Sequence, residues 1–262
     1  MHIQIVTIFP ELFAPFLTTS LVGKAVESEK LRVEVFDLRD FTEDRHRSVD
    51  DEPYGGGGGM VMTAPPWIRA VREISEDRTP RRILLSPQGR RLDDTQVRRL
   101  AGYEDLVLLC GRYEGIDERV LETVVDEEIS IGDYVLSGGE LPAMVLVEAL
   151  SRQIPGVVGL PCSVEQDSFR TGLLDHPHYT RPPEVEGMEV PDVLVSGDHG
   201  AIERWRERAA LEATWAKRPD LLEGLDPETD LTPVQRETLE TLRRNPDSSA
   251  SSEDGACSRS PA

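Results

Sequence analysis

The sequence predicts an α/β protein built on a parallel sheet with helices on both faces, followed by a smaller helical region. Three observations carry that prediction. Short β-branched or leucine-rich runs alternate with helix-length amphipathic runs up to about Gly156, and strands separated by helices pair in parallel through crossovers. Three of the strand-like runs end in glycine-bearing turns, the edge at which open α/β sheets bind ligands. Beyond Gly156 the alternation stops: Leu160–Asp198 is rich in Pro, Gly, Asp and His and too long for an ordinary loop inside one domain.

In chain order, His2–Phe9 is a β-branched opening strand and Ala14–Ser28 one or two helices. Leu31–Leu38 alternates apolar and polar residues, a second strand. A polar loop, Arg45–Gly59, ends in five consecutive glycines, and a helix follows from Ala64 to Ser75 with its two prolines at the start, where they are tolerated. Arg82–Ser86 is a buried strand. Asp93–Leu100 is a helix, with Asp93 as cap and Gln96 three residues on. Leu106–Cys110 (strand), Asp117–Val125 (helix), Glu128–Ile131 (strand) and Leu141–Gln153 (helix) complete the first region. The spacing of Ile202, Trp205, Ala209, Leu211 and Trp215 predicts a further helix, and Thr232–Arg243 a shorter one. Residues 161–175 read as a flexible linker, 176–244 as a helical domain, and the Ser- and Asp-rich stretch 245–262 as disordered.

Composition narrows the function classes. No stretch among the 262 residues has the ~18 apolar residues of a membrane span. The three cysteines (Cys110, Cys162, Cys257) have no metal-type spacing, and their odd number argues against a disulfide framework, so a reduced, cytoplasmic protein is expected. The net charge is −20, yet the basic residues are 26 arginines and only three lysines. Arginine is the better group for bidentate recognition of phosphates and carboxylates. Global charge then reports either a surface suited to concentrated salt or compositional drift, and local arginines report function.

The run Gly132–Pro142, with three glycines and a tyrosine between a strand end and a helix start, lets main-chain groups wrap a small ligand. It lacks the Gly-Lys-Ser/Thr of a phosphate loop and the Gly-x-Gly-x-x-Gly of a dinucleotide turn. Taken singly, this loop, Ser86–Arg90 and Cys110–Asp117 are each plain turns; three at one sheet edge point to a pocket. Arg152 closes the helix Leu141–Gln153, where it can simply complement the helix dipole. Asp167 is, on composition, one more acid in an acidic chain. Leu173–Pro182 mixes His, Tyr and Arg in a way that suits stacking on, and hydrogen bonding to, an unstacked RNA base. His176 and His178 have no Cys or third His at ligand spacing, so no metal site is expected.

The runs Val49–Met62, Leu85–Arg91, Leu109–Arg119, Ser130–Gly156 and Asp167–Pro182 resemble the bacterial tRNA (guanine-N1)-methyltransferases, the TrmD family of the knotted SPOUT class, in unbroken order over roughly residues 1–225. The resemblance implies a sheet whose C-terminal part is threaded into a trefoil knot, in a cofactor domain spanning residues 1–160. Knots are rare exceptions to unthreaded connections. It implies S-adenosylmethionine held by Ser86, Pro87, Gly111, Tyr113, Glu114, Ile131, Gly132, Asp133, Tyr134, Val135, Leu136, Gly138, Gly139 and Pro142. It also implies a homodimer with shared sites, Asp167 as general base, Arg152 facing the guanine O6, and tRNA contacts around His178 and Arg181. The target would be guanine 37, next to the anticodon. Magnesium is compatible with the resemblance, but no carboxylate cluster in the sequence declares a site for it. Five consecutive glycines and His176 depart from the family's usual proline and cysteine without touching this chemistry. The rivals are a SPOUT enzyme acting on a ribose 2′-hydroxyl and a non-catalytic RNA-binding protein; the latter leaves Arg152 and Asp167 unexplained.

Overall fold

Five parallel strands form the sheet, in the order β2-β1-β6-β5-β7, in a computed structural model that describes residues 1–159 and 167–245. They are β1 (His2–Thr7), β2 (Arg32–Asp37), β5 (Arg81–Arg91), β6 (Asp105–Cys110) and β7 (Glu127–Ser130). The chain divides into two compact units, Met1–Pro161 and Cys162–Ala262.

Strand alternation sorts the first unit's core into two layers. Ile3, Ile5, Ile83, Leu85, Leu106, Leu108 and Cys110 point to one face. There they pack against α1 (Phe13–Leu17), α2 (Ser20–Glu27), α4 (Asp94–Ala101) and α6 (Glu140–Gln153), through residues such as Phe13, Val22, Leu100 and Leu146. Val6, Leu84, Val107 and Leu109 point to the other, under α3 (Ala64–Ile74) and α5 (Glu118–Val124). Trp67 of α3 and Phe13 are wholly buried; full burial of a large apolar side chain contributes about 1.5–3 kcal/mol. The helix starts behave as their sequences require. Asp93 caps α4 by accepting from the Gln96 amide at 2.8 Å, worth ~1 kcal/mol. α3 carries its prolines in the first turn.

Two features depart from the expected pattern. The strand expected over Arg82–Ser86 runs on to Arg91, because its pairing with β7 shifts between Leu85 and Arg90 and then resumes at Arg90↔Ile129. Ser86–Gly89 is therefore an excursion within a strand and not a strand-to-helix turn. A Cβ on Gly89 would run into the backbone of Glu128 and Ile129, so only glycine passes there. Short pairings that periodicity cannot reveal also appear: β3 (Asp50–Asp51) with β4 (Val61–Met62), and β8 (Glu184–Val185) with β9 (Met188–Glu189).

The second unit holds α7 (Asp192–Val195), α8 (His199–Lys217), α9 (Pro227–Asp230) and α10 (Pro233–Arg244). Its core is small: Leu173, Leu211, Leu231 and Leu239, flanked by Trp215, Leu222 and Leu225. A capping box between Thr232 and Gln235 starts α10. Leu173 is 2% exposed, so the end of the expected linker is core and not a tether. A lone leucine in a polar run gives no period by which sequence could have found it. Residues 160–166 of that linker, and the expected disordered tail from 246 on, lie outside the described residues.

Candidate functional site at the C-terminal edge of the sheet

Three segments of the first unit converge on one cleft of about 360 Å³, within the usual size range for a small-molecule site. The β5 excursion supplies Ser86 and Pro87, the loop after β6 supplies Gly111 to Ile116, and the loop after β7 supplies Ile131, Gly132, Tyr134, Val135, Leu136, Gly138 and Gly139. Pro142 of α6 closes the wall. Every residue expected to hold a cofactor lines the cleft except Asp133, which the turn at Gly132–Tyr134 leaves out of the lining.

The loops are fixed from behind. Glu140, the first residue of α6, is 1% exposed. Its carboxylate accepts from Thr7 Oγ1 at 2.8 Å and from Arg112 Nε at 3.1 Å. The Arg112 guanidinium lies 4.5 Å from the centre of the Phe9 ring, a cation–π contact. One buried, paired side chain thus ties the end of β1 to both glycine loops. The Gly139 amide donates to the Gly111 carbonyl at 2.9 Å. A Cβ on Gly139 would sit 2.7 Å from Cys110 Cα. Burial, reinforced by the nearby Glu140 charge, pushes the Cys110 thiol well above its ordinary pKa, so it is an inert core group. Sequence reading passed over Thr7 and Glu140; the visible hint was a polar residue ending an otherwise apolar strand.

The five-glycine loop contributes indirectly. Met60 O accepts from the Glu114 amide at 3.0 Å, and the Met62 amide donates to Gly115 O at 2.9 Å. Gly59, at φ +88°, packs directly on the Glu114 side chain. Tyr113 adopts φ +62° although it is not glycine. That conformation costs about 1–3 kcal/mol and clusters at ligand sites.

Charge distinguishes this cleft from a phosphate pocket. Its charged lining is Arg112, Glu114, Glu118 and Glu128, and Arg112 already serves Glu140.

Arg152 sits in the last turn of α6, in the first unit. Asp167 opens the described part of the second unit. Its carbonyl accepts from the Arg170 amide at 3.2 Å, and the Phe169 amide donates to Leu173 O at 2.7 Å, which anchors this turn to the leucine core. His178 and Arg181 are both exposed.

The fold and the cleft define an α/β protein that binds a small ligand through glycine-rich loops at the C-terminal edge of a parallel sheet. Residues 1–224 match the family model for tRNA (Guanine-1)-methyltransferase TrmD, and the chain belongs to that family. It is similar to the tRNA (guanine-N(1)-)-methyltransferase of Methylococcus capsulatus, 54% identical over 93% of this chain and 96% of that one. The Pasteurella multocida protein of the same name is 51% identical over 93% of this chain and 98% of its own. That of Halorhodospira halophila is 54% identical over 85% of each.

Proposed function

We propose that this chain transfers a methyl group from S-adenosylmethionine to N1 of guanine 37 in tRNA, next to the anticodon, with Asp167 as general base and Arg152 stabilising O6. The observation that carries the reading is the cleft itself: three glycine loops in the family's order, lined by main-chain groups and by three acidic side chains against one arginine, itself paired with Glu140. Such a lining repels a nucleotide's phosphates and suits a ligand bearing a sulfonium and an ammonium. Ile116, Leu121, Ile129 and Pro142 supply the apolar surface an adenosine needs. The fit to S-adenosylmethionine is therefore good. When bound, it supplies a methyl group already made electrophilic by the sulfonium.

The residues' task lies with the nucleophile. Guanine N1 carries a proton, which the Asp167 carboxylate accepts. The Arg152 guanidinium offsets the negative charge that moves onto O6. The guanine leaves its stack to be reached, and His178 and Arg181 hold the surrounding RNA. Magnesium fits less well. Among the described residues the grouping of three ligand atoms is Asp175, His176 and His178, two of them imidazoles, so no step is derived through that ion.

The family's finer features complete the reading. The loops after β6 and β7 form the trefoil knot, residues 1–160 hold the cofactor, and 176–244 form the tRNA-binding domain. The enzyme works as a homodimer with shared sites. In support, α6 presents Leu141 and Val145, 58% and 46% exposed, on the stripe that leads to Arg152. Among the described residues no helix is long and apolar enough to cross a membrane; we place the protein in the cytoplasm with its tRNA.

Labelled-methyl transfer onto tRNA transcripts that differ only at position 37 tests the whole reading. Label should enter the guanine-37 transcript alone and appear as N1-methylguanine on digestion. Equal labelling of all transcripts, or label on ribose, would favour the 2′-hydroxyl rival; cofactor-independent RNA binding without transfer would favour a binding protein.

A further inference from the structure

Asp175, His176 and His178 lie on one short stretch of the second unit, stiffened by Pro177. Asp175 Oδ1 lies 2.7 Å from His176 Nδ1, and Oδ2 lies 2.9 Å from His178 Nε2. The three ligand atoms fall within 4.8 Å of one another. We propose that they form a site for a divalent transition ion of the zinc or cobalt class. The proposal goes beyond the methyl-transfer reading and does not rest on it. Sequence reading sought a cysteine or third histidine as the missing ligand and passed over the adjacent carboxylate.

The geometry is close to what such an ion needs. Bonds of ~2.0–2.1 Å in a tetrahedron space the ligand atoms about 3.3 Å apart, so closing this triangle takes an adjustment of an ångström or so. Two of the three ligands are already held. His176 is 11% exposed, with its ring edge-on to Trp205 at 6.3 Å and 4.5 Å from the His178 ring. The Asp175 amide donates to Ser168 Oγ at 2.9 Å, and the His176 amide donates to Asp175 Oδ1 at 2.7 Å. Outer contacts of this kind orient first ligands. To bind, each neutral imidazole carries its proton on the other ring nitrogen and offers the freed lone pair. His178 is 71% exposed, which leaves the fourth position open to water or an anionic oxygen. Two imidazoles select zinc, cobalt or nickel over magnesium, which prefers oxygen ligands.

The test uses the full chain, stripped with a chelator and titrated with Co²⁺, with Zn²⁺ affinity read by competition with a chromophoric chelator. Expected are one ion per chain, visible absorption bands of four-coordinate cobalt displaced by Zn²⁺, and no displacement by millimolar Mg²⁺. His178→Ala, at an exposed position that leaves the core intact, should weaken binding at least tenfold. His176→Cys should retain it, because a thiolate replaces the imidazole. No ion bound below millimolar concentration, or unchanged binding in His178→Ala, would overturn the proposal and leave Asp175 as a hydrogen-bond anchor for two histidines.

Discussion

In the first unit the cleft is walled by backbone. Its loops pass so close to neighbouring strands that Gly89 and Gly139 have no room for a Cβ, and a buried carboxylate fixes them from behind. In the second unit the segment from Asp167 to Arg181 presents side chains instead, on a core of four buried leucines. The first arrangement derives its precision from the packing of a doubly covered sheet, so ligand affinity and stability are coupled there. The second places the side chains we propose for chemistry on one segment, above a core that other residues build.

The largest effect that would break this contrast is at Asp167. Asp167→Asn should lower methyl transfer by about 10²–10⁴-fold while cofactor binding stays as in the parent. Single-turnover kinetics alongside calorimetric titration would show it, and a turnover close to the parent's would remove Asp167 from the role of base. Leu173→Ala tests the support of the same segment. Removing a buried leucine costs about 2–5 kcal/mol, and a core this small cannot spread the loss. Hydrogen exchange should rise across α8 and α10 while the β1 and β6 amides remain protected and cofactor still binds.

Gly139→Ala should do the reverse. Overpacking costs about 1–3 kcal/mol, which converts to roughly 5–150-fold in affinity, so cofactor binding and the first unit's melting point should fall together. Loss of one without the other would mean that packing and recognition are not coupled at the cleft.

Acid acts on the first unit more gently. Hydrogen bonds from Arg82, against the opposing effect of burial, hold the Asp126 carboxyl below its usual range. The Arg119 pairing does the same for Asp117. A carboxyl lowered in the folded state stabilises above its unfolded pKa of ~3.9, and that stability is lost as pH falls through the folded value. The urea midpoint of the first unit should therefore decline below about pH 4. Asp126→Asn should flatten that decline and leave the second unit's acid response as it was.

The smallest expected effect concerns charge. With a net −20 and only three lysines, protein and tRNA repel at ~10 mM salt, where screening extends only beyond ~30 Å. Added KCl screens that repulsion before it weakens the arginine–phosphate contacts. The initial transfer rate should rise a few-fold and then fall; a steady decline from the lowest salt would mean that local arginines dominate.

Much of the first unit was legible in the sequence because its elements obey simple periods. The apolar runs in His2–Thr7 and Asp105–Cys110, the Asp93 cap and the two prolines opening α3 each follow from local chemistry. So did the glycine loops, since three at one sheet edge imply a pocket wherever strands run parallel. Local pattern could not show that Ser86–Gly89 interrupts a strand that resumes, because re-pairing at Arg90 depends on β7, some forty residues away in sequence. Nor could it show that Thr7, Arg112 and Glu140 meet: each is an ordinary polar residue until the sheet brings 133 residues of separation down to 2.8 Å. The same holds for Leu173, a core residue only because α8 and α10 fold over it. Sequence determined this protein's elements and the chemistry of its loops, because those depend on neighbours along the chain; tertiary structure decided which buried charge holds the loops and which residues line the cleft, because those depend on neighbours in space.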